Sequence, residues 1–210
     1  MNKILGIIFD MDGVLIEAKD WHFEALNKAL GFFGKNISRY DHLVTFDGLP
    51  TNKKLQMLSR EGEIPIGLHP LINQLKQKFT IEMVYKYCKP VFSHQFALSQ
   101  LKHEGYKLVV CSNSIRKTIE IMMDLAGLNE YLDFTLSNED VLKCKPDPEI
   151  YTKAINRLGF HPQECLILED NEKGIKAAIA SNAQLMRIGN VEDVNYTNIV
   201  NKIREIENKI

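Results

Sequence analysis

This sequence predicts an α/β fold, with a doubly wound parallel sheet and an inserted all-helical segment, and three observations carry that prediction. From Tyr106 onward, short apolar runs alternate with segments of helical periodicity, which is the rhythm of βαβ units. The stretch 15–89 breaks the rhythm with helical faces and no convincing strand. The residues richest in chemistry fall just past the ends of the expected strands, where sheets of this kind bind their ligands.

The first strand is expected over residues 4–9, an apolar run that meets Asp10. In the insert, residues 21–31 place Phe23, Leu26, Ala29 and Leu30 on one helical face, and 53–58 and 71–87 also read as helices. Lys89 precedes Pro90 and so is steered away from helical geometry, which marks the return to the sheet. The expected division is therefore residues 1–14 with 90–210 as the sheet domain and 15–89 as the helical one.

Helices then follow at 91–104, 115–126, 148–158 and 174–181, with a polar one from 195 to 210. Gly127 and Gly159 stand where a left-handed residue closes the second and third of these. Residues 107–111 form a continuous apolar run of the kind buried on both faces of a parallel sheet. Residues 165–168 and 184–188 have the same character, and 134–136 is a weaker candidate.

At 210 residues, either one domain or two is accommodated. The 26 Lys+Arg nearly cancel the 27 Asp+Glu, which leaves no electrostatic footprint for nucleic acid or an anionic membrane. Cys88, Cys111, Cys144 and Cys165 lie far apart without CxxC spacing. Neither a zinc site nor a disulfide framework is signalled, and thiols in a reducing compartment are expected. The apolar run before Asp10 is too short for a secretory core, so a cytoplasmic location is expected. There are no internal repeats.

Four features sit at strand ends. The string IIFDMDGV, residues 7–14, delivers Asp10 and Asp12 to one spot, and Gly13 permits the turn that follows. Its plainer reading is a turn in which the aspartates satisfy local backbone groups. Ser112, Asn113 and Ser114 suit an anion at a helix start, or simply cap that helix. Lys145, held before Pro146, could neutralise a phosphate and a carboxylate together, or be a solvated loop lysine. Glu169 and Asp170, if brought near Asp10, form a cluster that cannot stay fully ionised without a cation. Hard oxygen donors select Mg²⁺. Otherwise the acidic pair caps the next helix.

Together, in this order, the features resemble the haloacid dehalogenase superfamily, in the branch that holds β-phosphoglucomutase and its phosphatase relatives. The resemblance spans nearly the whole chain. It rests on the DxDGV form at 10–14, the strand-then-serine at Ser112, KPDPEIY at 145–151 and EDNEKGIKAAIAS at 169–181. It implies a Rossmann-like core with a helical C1 cap inserted after the first motif. It further implies a Mg²⁺-dependent enzyme that hydrolyses a small phosphorylated metabolite through an aspartyl-phosphate.

By the same resemblance, Asp10 is the nucleophile and Asp12 the general acid and base. Asp10, the Asp12 backbone carbonyl and Asp170 hold the metal, with Glu169 as a further ligand or a supporting group. Ser112, Asn113 and Lys145 grip the transferring phosphoryl group, with Met11 beside it. In the cap, His22 stands where the mutase has a histidine and could contact substrate, or is simply a packed helix histidine, and Thr51 and Lys54 are the candidates at the cap loop. The sugar-phosphate mutases of this branch carry an arginine where Thr51 stands, and threonine cannot make a bidentate cationic clamp, although Lys53 or Lys54 could substitute for it. Hydrolysis is thus the leading expectation, a hexose-phosphate mutase the second, and a noncatalytic phosphate-binding module the third. The fold needs no partner to complete its active site, so a monomer is expected. Asn182, at a position where relatives often have glycine, can take the same left-handed conformation.

Overall fold

A computed structural model describes residues 3–208. In chain order, strand β1 (Gly6–Phe9) is followed by α1 (Lys19–Gly31), the single turn α2 (Arg39–Asp41), α3 (Thr51–Arg60) and α4 (His69–Tyr87). Then come α5 (Phe92–His103), β2 (Lys107–Cys111), α6 (Arg116–Leu125), β3 (Phe134–Leu136) and α7 (Glu149–Leu158). β4 (Cys165–Glu169), α8 (Glu172–Ala180), β5 (Gln184–Arg187) and α9 (Tyr196–Glu207) complete the described chain. The expected continuation of the last helix to residue 210 lies outside the described residues. The chain divides into two compact units, one made of the residues up to Glu17 with those from Lys89 on, the other of Ala18–Cys88.

The first unit is the expected α/β sheet. Its five strands run parallel in the order β3-β2-β1-β4-β5. β1 lies at the centre, with Ile8 opposite Val109 on one side and Ile167 on the other. Side chains alternate between faces along a strand. Ile8, Val109 and Ile167 accordingly join a core with Ile150, Tyr151, Ala154 and Ile155 of α7 and Ala177 and Ala178 of α8. Ile7, Phe9, Leu108, Val110, Leu166 and Leu168 turn the other way and are just as completely buried. Right-handed crossovers explain this layering, because β1 to β2 and β3 to β4 travel in opposite directions along the sheet and put α5 and α7 on opposite faces. Each large aliphatic side chain so enclosed contributes roughly 1.5–3 kcal/mol.

The strand order reverses between β1 and β4, and at such a switch point the loops diverge and leave a crevice at the carboxyl ends. A short turn follows β1. Met11's carbonyl accepts the N–H groups of Val14, Leu15 and Ile16 at 3.3, 3.0 and 2.9 Å, and Gly13 stands at φ 90°. Asp12 and Ile16 form an isolated bridge, which ties this segment to the sheet unit until Glu17. The boundary expected at residue 15 falls inside that turn.

Most expected elements form within a residue or two. The first strand begins at Gly6, although the Leu5 N–H still donates to the Glu164 carbonyl at 2.8 Å. The helix expected from Gly174 begins at Glu172, because the Asn171 side chain accepts the Lys173 N–H at 3.0 Å and supplies the cap. Asn182 takes φ 61° after α8, as its side chain allows.

The second unit is built of helices joined by turns and loops, with no strand among its described residues. Ala25, Leu26, Ala29 and Leu30 of α1 pack with Leu55 and Leu58 of α3 and Ile72 and Phe79 of α4. Between α2 and α3 lies a π-helical turn, His42–Phe46. The His42 ring is buried there against Phe23, with ring centroids 5.0 Å apart. Burial first and the Lys54 ammonium second push its imidazole down to about 4, so the ring is neutral at neutral pH. Among the described residues no helix is long and apolar enough to cross a membrane.

Candidate active site

Four segments of the first unit meet at the carboxyl end of its sheet. β1 delivers Asp10, whose N–H continues the ladder by donating to Leu168 O at 2.9 Å. β2 leads into Ser112, similarly bonded to Leu136 O at 3.0 Å. The loop before α7 brings Lys145, whose peptide bond to Pro146 is cis. β4 ends at Glu169, followed by Asp170.

Lys145 is the hub. Its ammonium donates to Asp10 Oδ1 at 2.6 Å, Glu169 Oε1 at 2.6 Å and the Cys111 carbonyl at 2.9 Å. Those three acceptors match the three donors of an ammonium group. Lys145 is 4 % exposed, Asp10 8 % and Glu169 1 %, which excludes the solvated-lysine reading. Burial alone would lower the lysine pKa, but the Asp10 and Glu169 carboxylates hold it above its ordinary value, so it is charged.

Asp10 is pushed well above the usual carboxylate range. Burial is the main cause; Lys145 opposes it, and Glu169, Asp170 and Asp12 add to it. The Lys145 ammonium pairs with Asp10 and Glu169, and Asp170 and Asp12 add their charge close by. Carboxylate oxygens of Asp10, Glu169 and Asp170 lie within 4.8 Å of one another. Three hard oxygen donors this close, two of them on buried residues, fit a divalent cation that prefers oxygen ligands.

The other expected residues take specific places. The Ser114 hydroxyl donates to Asp12 Oδ2 at 3.1 Å and orients that carboxyl. Ser112 Oγ accepts the Ser114 N–H at 3.1 Å. None of Ser112, Asn113 or Ser114 caps α6, whose cap position is Ile115 with no side-chain bond. Asn113 instead fastens the lysine loop, its Oδ1 accepting the Lys145 N–H at 3.2 Å and its Nδ2 donating to the Lys145 carbonyl at 3.4 Å. The acidic pair does not cap α8 either, since Asn171 does. The Met11 side chain is fully enclosed, so only its backbone is available to a ligand.

His22, Thr51 and Lys54 belong to the helical unit. His22 lies in the first part of α1 with Nδ1 3.3 Å from Lys76 Nζ. Thr51 is the first residue of α3, and Lys54, one turn on, is buried.

Sequence reasoning missed the roles of Ser114 and Tyr151. Ser114 was visible as a second hydroxyl after β2, but only tertiary placement aims it at Asp12. Tyr151 ends the KPDPEIY string and is fully buried. Its hydroxyl donates to Glu169 Oε1 at 2.5 Å, and Lys145 Nζ stands 4.7 Å from its ring centroid.

Gly174 completes the cradle. A Cβ there would lie 1.8 Å from Glu169 Oε1 and 2.1 Å from its Cδ. In a helix interior, alanine normally beats glycine by roughly 0.5–1 kcal/mol. Here the sign reverses, because the buried carboxylate has nowhere to move. Gly174→Ala is expected to destabilise the fold by about 2–3 kcal/mol and to depress activity with it, as read by urea titration. A gain in stability would show that Glu169 is not confined as described.

A family model for haloacid dehalogenase-like hydrolases matches residues 7–188. Among curated proteins, the pyrophosphatase PpaX of Bacillus velezensis is 26% identical over 84% of this chain and 79% of its own length. The phosphorylated carbohydrates phosphatase of Thermotoga maritima is also 26% identical, over 96% of this chain and 99% of its own. Among solved structures, β-phosphoglucomutase from Clostridium difficile superposes with a TM-score of 0.83 at 20% identity, covering 96% of this chain and 98% of that one. At that identity the last likeness speaks for the fold.

Proposed function

Because the chain belongs to the haloacid dehalogenase-like hydrolase family and is a phosphoric monoester hydrolase, we propose that it cleaves a small phosphorylated metabolite, a sugar phosphate or a related ester, through an aspartyl-phosphate on Asp10. The observation that carries this reading is the Lys145 hub, which holds Asp10 and Glu169 at 2.6 Å each beside Asp170. Such an arrangement neutralises charge where a phosphoryl group would arrive, and phosphoryl transfer demands positioning and charge neutralisation above all.

In this mechanism a carboxylate oxygen of Asp10 attacks phosphorus, and the ester P–O bond breaks. The leaving oxygen takes its proton from Asp12, whose carboxyl Ser114 holds in place. Asp12, now a carboxylate, accepts a proton from the water that attacks the aspartyl-phosphate, which releases phosphate and restores Asp10. Lys145, with Ser112 and the backbone around Met11 and Asn113, binds the phosphoryl oxygens. Mg²⁺ would be held by Asp10, Asp170 and the Asp12 carbonyl, with Glu169 as ligand or support, and when bound it offsets the repulsion between carboxylate and phosphate. The helical unit acts as the cap, with substrate recognition assigned to His22, Thr51 and Lys54.

The names of the relatives support the substrate class. Thr51, which offers no cation at the start of α3, favours hydrolysis over a mutase. The test is phosphate release from a panel of hexose phosphates, other metabolite monoesters and pyrophosphate. Release is expected with MgCl₂ and should fall to background in EDTA. Conversion of a hexose 1-phosphate into its 6-phosphate without net release would replace this reading with the mutase.

A further inference from the structure

We infer that Tyr151 is a positioning residue that sets the orientation of the Glu169 carboxylate and, through it, the affinity of the acidic cluster for its divalent cation. This inference rests on the reading of Asp10, Glu169 and Asp170 as that cation's site. It concerns a residue whose position on α7 would be filled equally well by phenylalanine if packing were its whole purpose. Its ring is enclosed within the core of α7, α8 and the sheet. Only the hydroxyl distinguishes it from a pure hydrophobe, and a buried hydroxyl without a partner is costly.

That hydroxyl donates to Glu169 Oε1 at 2.5 Å. The same oxygen accepts from Lys145 at 2.6 Å. The opposite oxygen, Oε2, lies 3.2 Å from the Asp170 N–H and 3.4 Å from the Asn171 N–H. With four donors disposed around one carboxylate and no room for a Cβ at Gly174, its side-chain torsions are determined. Remove the phenolic donor and Oε1 keeps Lys145 alone, so the carboxylate is held by three donors instead of four, and the two on Oε2 are long, at 3.2 and 3.4 Å. Two consequences follow. The carboxylate oxygens no longer hold a fixed separation from those of Asp10 and Asp170, and Lys145 can drift toward either of its two carboxylates. Groups that orient metal ligands in this way typically change affinity by about 10–100-fold when removed.

The test is calorimetric titration of MgCl₂ into the substrate-free protein. Tyr151→Phe is expected to raise the Mg²⁺ Kd by about tenfold, with a thermal midpoint close to that of the parent. Turnover at saturating Mg²⁺ should recover with substrate KM unchanged, which a purely structural defect would not allow. In a Glu169→Ala background there is no carboxylate to orient, and adding Tyr151→Phe should shift Kd by less than about twofold. Parental Mg²⁺ affinity in Tyr151→Phe, or equal effects of the change in both backgrounds, would overturn the inference and leave the proposed function standing. A parent that itself takes up no Mg²⁺ would remove both together.

Discussion

Asp10→Asn is expected to lower turnover by about 10⁴-fold or more while the protein remains folded. The magnitude follows from the role assigned to the side chain. An amide cannot form the acyl phosphate, and loss of a covalent nucleophile removes most of the catalytic gain, leaving only what binding and charge supply. Stability should behave differently. Burial and neighbouring carboxylates push Asp10 up, so a neutral isostere relieves repulsion. Lys145 keeps Glu169 and the Cys111 carbonyl as acceptors. The folded state should therefore change by about 1 kcal/mol or less. Phosphate release and urea unfolding measured on one preparation check both halves. Turnover within tenfold of the parent would take Asp10 out of the covalent chemistry.

Lys145→Met should be severe on both counts, and its damage should grow with pH. Breaking a buried ion network by removing its central cation costs about 3–5 kcal/mol, because Asp10 and Glu169 lose the buried charge that pairs them. In metal-free buffer the sign can be worked out from Asp10. Its folded pKa already lies above the ordinary value, with Lys145 as the group that restrains it, and loss of the lysine raises it further. A carboxyl whose pKa is raised by folding contributes its stability below its unfolded pKa and loses it as pH rises through the folded value. The variant should thus lie nearest the parent at about pH 5 and fall away toward pH 8. The parent should decline less over the same range, since Lys145 restrains its Asp10 and itself stays charged. Turnover should drop by about 10³-fold, in the range found when a preorganised charge is lost from a transition state. Urea titrations in EDTA at the two pH values decide the matter, and a gap independent of pH would contradict the buried-charge account.

The strands and the motif order were legible because a parallel sheet buried on both faces imprints continuous apolar runs, and because polar groups stand out where those runs stop. Lys145 is an instructive intermediate case. Its residue type and the proline after it were plain, but burial and triple bonding come from segments far apart in sequence. Tyr151 shows the limit more sharply: within α7 it reads as one more position on the apolar face, and only β4 arriving alongside turns its hydroxyl into a carboxylate's partner. Asn113 shows the same limit, since an amide after a strand suits an anion, but only the tertiary structure reveals that its side chain also fastens the Lys145 backbone. The single turn α2 and the π-helical turn after it left no periodic trace, being shorter than any repeat that could announce them.

The central place of β1 bears on how this protein comes to be active at all. Gly6 stands opposite Lys107 on one side and Cys165 on the other, so the middle strand finds its neighbours only after long stretches of intervening chain have been arranged. Pairings that remote carry the largest loop-closure penalty and form late and cooperatively. Asp10 hangs from the end of that strand, while its ammonium partner and companion carboxylates come from the far side of those closures. No form that lacks the β1 pairings can hold the charges in register, so recovery of turnover during refolding would report the closure of these long-range pairings.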